Sequence, residues 1–165
     1  MTILTKIGLT LLVALVVIQF IHPKKNQWPV NPDLPLNSRY PIPETVNGIL
    51  QKACMDCHSN NSRYPWYASI QPVAWWLDEH IIDGKKHLNF DEYTNRSLRY
   101  QYHKMEETIE MVKTEEMPLN SYIWTHSEAR LTPAERVAIT QWAQSVMDTM
   151  KQRYPIDSLV RPRKS

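Results

Sequence analysis

Cys54-Met55-Asp56-Cys57-His58 holds both cysteines of the chain, two residues apart and followed at once by an imidazole. With every thiol in one motif, a multi-disulfide framework is excluded and at most one tight bridge can form. The two intervening residues put both sulfurs on one side of a short helical turn. Upstream, Pro43-Glu44 opens a stretch in which Val46, Ile49, Leu50 and Ala53 recur at helical spacing, with Glu44 near the positive end of the helix dipole. The motif is therefore delivered by a helix, and the flanking elements are read from that starting point.

Cys-x-x-Cys-His is the pattern by which haem is attached covalently in c-type cytochromes. Both thiols reach the vinyl groups of one porphyrin and become thioethers, and the next residue, His58, swings its imidazole under the iron as the proximal ligand. Three other chemistries compete. A dithiol redox pair follows a strand in a βαβ unit, whereas these flanks are helical, and it gives His58 no task. A zinc site needs further ligands at short spacing, and no second Cys pair or closely spaced His pair occurs. A structural disulfide across so small a loop contributes little by loop closure. Haem attachment accounts for all three residues and is the preferred reading: one haem c, held through Cys54 and Cys57.

The composition agrees with one helical domain. A chain of 165 residues that is 42% hydrophobic holds one core of ordinary size once its ends are set aside. Nineteen Lys plus Arg against 17 Asp plus Glu leave a net charge of +2, which offers no basic face to nucleic acid. Three Gly cannot supply the hairpin turns of a many-stranded sheet.

Downstream of the motif, a turn-rich aromatic stretch runs from Ser59 to Tyr67. Pro72 then starts a second helix, with Val73, Trp76, Leu77 and His80 on one face, and Gly84 is expected to stop it. A third helix is expected from about Asp91 to Glu116, ended by Met117-Pro118. Thr132-Pro133-Ala134-Glu135 is a capping box with Pro at the first helical position, followed by a stripe of Ile139, Trp142, Ala143, Val146 and Met150.

At the other end, Ile7–Ile21 is a charge-free apolar run of 15 residues between Lys6 and Lys24-Lys25. That is long for the core of a signal peptide and short for a span of about 20 residues. Gln19, Phe20, Ile21 and His22 offer no small residues for cleavage, which favours a retained anchor over residues 1–21 against a removed signal peptide. Residues 22–43 carry six of the 12 Pro and read as an extended spacer holding the domain off the bilayer. The haem domain is placed at 44–155 and a basic tail at 156–165. Because c-type attachment takes place outside the cytoplasmic membrane, the domain is expected in the periplasm.

The strings Cys57-His58-Ser59-Asn60-Asn61-Ser62-Arg63-Tyr64-Pro65-Trp66-Tyr67, Ile70-Gln71-Pro72-Val73-Ala74-Trp75-Trp76-Leu77 with His80, and Gly84 with Leu88-Asn89-Phe90 resemble the haem-binding domain family of bacterial, mostly periplasmic, cytochrome-like proteins. The resemblance covers roughly Pro43 to Met150. It implies an all-α, small cytochrome c-like domain behind an N-terminal hydrophobic helix. Small cytochromes of this kind present a distal Met from a loop, and Met117, just before Pro118 and after a long helix, is the preferred sixth ligand. A thioether raises the potential and suits electron transfer; a second His lowers it, and an open position permits small-molecule chemistry.

His80 is the chief rival, with a core or propionate-facing role as its plainer alternative. His87, His103 and His126 read as surface groups, Met105 and Met111 as packing, and Arg63 as an exposed side chain or a propionate partner. Tyr64, Trp66, Tyr67, Trp75 and Trp76 are read as porphyrin walls or core. Two functions follow as expectations. One is a membrane-tethered monohaem electron carrier whose redox partner proteins the sequence does not name. The other is a gas sensor or peroxidase-like enzyme with a displaceable sixth ligand and His80 above the iron.

Overall fold

In a computed structural model, residues 2–161 are described and eight α-helices hold the chain together, with no strand among those residues beyond one isolated antiparallel bridge, Gln27 to Asn61. The helices are α1 (Ile3–Ile18), α2 (Glu44–Ala53), α3 (Met55–His58), α4 (Val73–His87), α5 (Leu98–Lys113), α6 (Asn120–Thr125), α7 (Pro133–Arg153) and α8 (Ile156–Leu159). The expected all-α class is the class observed.

The core forms where α5 and α7 lie along one another, with α2 against α7 and α8 against α5. The capping box fixes the start of α7: Thr132 Oγ1 accepts from the Glu135 N–H, and the Glu135 carboxylate accepts from the Thr132 N–H. The predicted stripe Ile139, Trp142, Ala143, Val146 and Met150 is buried in full. It meets Tyr102, Met105 and Val112 of α5. Each such side chain contributes about 1.5–3 kcal/mol by leaving water, which outweighs the weak helix propensity of the aromatic and charged middle of α5.

Four boundaries differ from the sequence reading, each for a physical reason. Gly84 does not stop α4, because its φ is negative and helical; the helix runs on to His87. The expected third helix splits. Asn89 Oδ1 accepts from the Asp91 N–H and starts a 3₁₀ segment over Phe90–Asn95, the backbone leaves helical geometry at Glu92 (φ −125°, ψ 20°), and Ser97 caps the separate helix α5. The Pro-rich stretch 22–43 is not a free spacer. Asn26 is buried, and Leu36 and Tyr40 are among the least exposed side chains of the core. Its backbone is tied down by Ser62 N–H to Asn26 O, Trp28 N–H to Asn60 O and Thr94 N–H to Leu34 O. The basic tail begins as α8, with Leu159 buried, because Ile156–Leu159 closes on α5 and α7; residues 162–165 lie outside the described residues.

The N-terminal segment is helical over 16 residues and buries none of them. No helix among the described residues is long and apolar enough to cross a membrane. At the end of α1 the Gln19 side chain donates to the Gln71 carbonyl at 3.1 Å and accepts from the Gln71 N–H at 3.0 Å, so that end is docked on the segment entering α4.

Candidate functional site

A cavity of about 610 Å³ opens between α2–α3, α4, α5 and the Met117–Tyr122 segment, within the range of small-molecule and cofactor sites. Leu50, Ala53, Leu88, Phe90, Val112 and Ile139 give it an apolar lining, and Cys54, Cys57, His58, His80 and Met117 face the same space. The three motif residues and the preferred distal Met, 59 positions apart from His58 to Met117, are thus brought together.

The motif is held from two sides. α3 is a single turn that begins at Cys54, whose carbonyl accepts from the N–H groups of Cys57 and His58. Gly84 lies against that turn so closely that a Cβ there would sit 2.7 Å from the Cys57 carbonyl oxygen and 2.9 Å from its Cβ. Gly84 is used for close approach rather than for an unusual φ. Because α4 ends at His87, the next carbonyl, that of Leu88, turns to His58: Nδ1 lies 2.9 Å from it. A carbonyl only accepts, so Nδ1 carries the proton and Nε2 keeps its lone pair, the arrangement by which a backbone carbonyl orients a metal-ligating imidazole. Burial holds the His58 pKa below its usual range, which keeps the ring neutral at physiological pH.

Cys54 and Cys57 are free thiols. Burial pushes the Cys54 thiol up to about 12 and the Cys57 thiol up to about 11, with Cys57 adding to the first and Asp56 to the second. A dithiol redox pair needs the opposite shift. Among the described residues no group of three or more His, Cys, Asp or Glu is placed to hold a bare metal ion, which removes the geometric basis of the zinc reading. The cavity, the free Nε2 and the two thiols on one turn fit a haem.

A residue that the sequence reading passed over holds the motif's outer side. Asp56, inside the Cys-x-x-Cys spacing, is buried. Its carboxylate accepts from the Arg63 backbone N–H at 3.0 Å, from Arg63 Nε at 3.1 Å and from the Tyr122 hydroxyl at 2.7 Å. Burial alone would raise the Asp56 pKa, but the hydrogen bonds from Arg63 and Tyr122 outweigh it and hold the carboxyl below the ordinary range. Arg63 is therefore engaged by Asp56 while its side chain stays 58% exposed, as expected. The signal available in sequence was a carboxylate in a position otherwise surrounded by helix-packing residues, with an Arg seven residues on.

The distal side is assembled from separate pieces. α5 ends in a left-handed residue, Glu115 (φ 63°), fixed by Arg136, which reaches the Glu115 carboxylate at 3.3 Å and the Val112 carbonyl at 2.9 Å. The chain turns back, and the Met117 N–H donates to the Met111 carbonyl at 3.1 Å. Met117 and Met111 both line the cavity, so Met111 is not merely packing; Met105 is, at 0% exposure. His80 lines the cavity too, with Nδ1 2.8 Å from the Trp76 carbonyl and its ring tilted against Trp76 at 4.3 Å between centroids.

Several expected placements change. Tyr64, Trp66 and Trp76 do not line this cavity. Tyr64 accepts from the Asn26 N–H, Trp66 is 78% exposed, and Trp76 lines a small neighbouring void beside Tyr67 and His126. The apolar lining of the cavity is mainly aliphatic, with Phe90 and Tyr122 its aromatic members beside the histidines. Trp75 is likewise part-exposed. His87 and His103 are exposed, as expected, but stand on the cavity rim. His126 is no surface group: it bonds the Tyr67 hydroxyl at 2.8 Å and stacks on Tyr122.

The family model described as a haem-binding domain fits residues 13–145, which include the Pro-rich stretch and most of α7. No curated protein and no solved structure matches the chain.

Proposed function

The chain belongs to the haem-binding domain family, and we propose that it carries one haem c through Cys54 and Cys57, with His58 and Met117 as the residues that would ligate its iron, and works as a membrane-tethered electron carrier. A bound haem supplies a one-electron couple at its iron; the remaining work falls to side chains of this protein. Cys54 and Cys57 hold the group covalently. His58 offers Nε2 because its Nδ1–H donates to the Leu88 carbonyl. Met117 offers a thioether, which favours the reduced metal and raises the potential. The apolar lining excludes water and lowers the local dielectric, and the exposed rim at His87 and His103 leaves one edge of the site near solvent.

The observation that carries this reading is the convergence of Cys54, Cys57, His58 and Met117 on one apolar cavity, with His58 already oriented by Leu88. The tether rests on α1, whose apolar side chains have no protein covering them, and a periplasmic location follows from the compartment in which c-type attachment takes place. Expression in a host competent for c-type maturation tests the core of the proposal. The matured chain should exceed the bare polypeptide in mass by one haem, and the ferric protein should show the near-infrared charge-transfer band of Met-ligated cytochromes. A colourless product at the mass of the bare chain overturns the attachment; persistence of the band in Met117→Ala overturns the ligand.

A second reading has one observation in its favour. His80 reaches the cavity with Nδ1 occupied by the Trp76 carbonyl, so its Nε2 is also free. In a sensor or peroxidase-like protein that nitrogen would handle a bound small molecule, and the reduced protein would take up carbon monoxide rapidly without losing a protein ligand. Slow or absent uptake excludes it. Recovery in membranes, with the domain open to protease added from the periplasmic side, tests the tether and topology.

A further inference from the structure

The docked end of α1 puts an apolar, aromatic surface of the domain beside the only fully uncovered helix described. Gln71 is the link. It exchanges two hydrogen bonds with the Gln19 side chain, and its own side chain donates to the Ile21 carbonyl at 2.6 Å. His22 Nε2 lies 3.2 Å from the Ser69 carbonyl. Ile70, between those two attachment points, is 43% exposed; Trp75, whose N–H donates to Gln71 Oε1, is 38% exposed; and Trp66, at the start of the same turn, is 78% exposed.

The length of α1 bears on what covers this surface. Sixteen helical residues rise about 24 Å, against about 30 Å for the hydrocarbon core of a bilayer. A short apolar helix draws its flanking residues into the interface or thins the bilayer around it. The flanks here are Phe20 and Ile21, both exposed, with the Ser69–Gln71 segment hydrogen-bonded to Ile21 and His22. Trp side chains favour the headgroup region, where an apolar ring and a polar N–H are both satisfied. Lys24 and Lys25 lie six and seven positions past the end of α1 at Ile18 and match anionic headgroups.

We infer that the domain does not stand off from the bilayer but lies on it, with Trp66, Ile70 and Trp75 seated in the headgroup region beside the end of α1. This inference rests on the membrane-tether reading above and deepens it: the occupant of the surface is lipid, and the Pro-rich stretch serves to clamp the domain down rather than to space it out.

The test uses the full, haem-loaded chain in vesicles of phosphatidylcholine and phosphatidylglycerol that contain a photoreactive phospholipid. After irradiation and trypsin digestion, the tryptic peptides Ile7–Lys24 and Tyr64–Lys85 report on α1 and on the proposed surface separately. Labelling of both, well above the background on peptides of α5 and α7, is the expected result. Labelling of Ile7–Lys24 alone overturns the docking but leaves the tether intact; labelling of neither removes the tether and the docking with it. Ile70→Asp should lower labelling of Tyr64–Lys85 several-fold without changing that of Ile7–Lys24. Gln19→Ala, which leaves the domain itself untouched and loosens only the clamp, should do the same; an unchanged pattern in both variants counts against the inference.

Discussion

The two walls of the cavity are built differently. On the proximal wall, five consecutive residues supply both thiols and the imidazole, and three separate contacts fix them: Gly84 against Cys57, Leu88 O against His58, and Arg63 with Tyr122 on Asp56. On the distal wall, Met117, Met111 and His80 come from a loop, α5 and α4, and none of the three is tied to the motif by a hydrogen bond of its own side chain. A wall written locally and then braced tolerates little change. A wall assembled from distant pieces offers more than one donor and should tolerate substitution at the cost of altered chemistry rather than lost structure.

The largest effect is expected where attachment itself is removed. Cys57→Ser should abolish most covalent haem loading, read as loss of the haem-bearing mass peak, and His58→Ala should leave whatever haem is attached without its normal absorption. Next is Gly84→Ala. The added methyl meets backbone rather than a flexible side chain tip, so α4 must move off the motif, and a loss of about 2–3 kcal/mol in denaturant unfolding is expected together with reduced loading. A stability change near zero would show that the brace on the proximal wall is looser than argued.

Asp56→Asn keeps the shape and removes the charge that Arg63 and Tyr122 satisfy, at a cost of about 1.5–2 kcal/mol. Its pH dependence is specific. The carboxyl is held below its ordinary range in the folded chain, so the unfolded chain binds the proton more readily. The stabilisation is complete above the unfolded Asp pKa and is lost as pH falls through that value toward the folded one. Acid unfolding of wild type should therefore be steeper than that of Asp56→Asn, with the two curves meeting at low pH. Parallel curves would mean that the Asp56 ion pair has no such linkage.

The smallest change in stability belongs to the distal wall. Met117→Leu conserves volume and should cost about 1 kcal/mol or less, while eliminating the near-infrared band and lowering the potential. Comparison with Met111→Leu and His80→Ala assigns the ligand: only one of the three should move the spectrum. A destabilisation by Met117→Leu greater than that of Gly84→Ala would reverse the contrast between the walls.

The haem motif proposed at residues 54–58 is readable in sequence because its chemistry depends on spacing within one helical turn, which primary structure sets directly. The start of α7 was legible for the same reason, since a capping box needs only Thr132 and Glu135 three residues apart. The aromatics misled: Trp66 and Trp76 sit near the motif in sequence, but the 3₁₀ turn at 66–69 and the first turn of α4 face them away from the cavity. Gly84 looked like a helix stop because composition cannot say whether a glycine is wanted for its φ or for its missing side chain.

The amino-acid order alone determined the helical class, the Cys-x-x-Cys-His spacing and the cap of α7, because each follows from interactions reaching no more than a turn along the backbone. Only the tertiary structure decided that Met117 and His80 share a cavity with His58, that Asp56 is clamped by Arg63 and Tyr122, and that the proline-rich stretch folds onto the domain. Those features join residues far apart in sequence, and their geometry exists only once the helices have packed, α5 along α7 and α3 against α4.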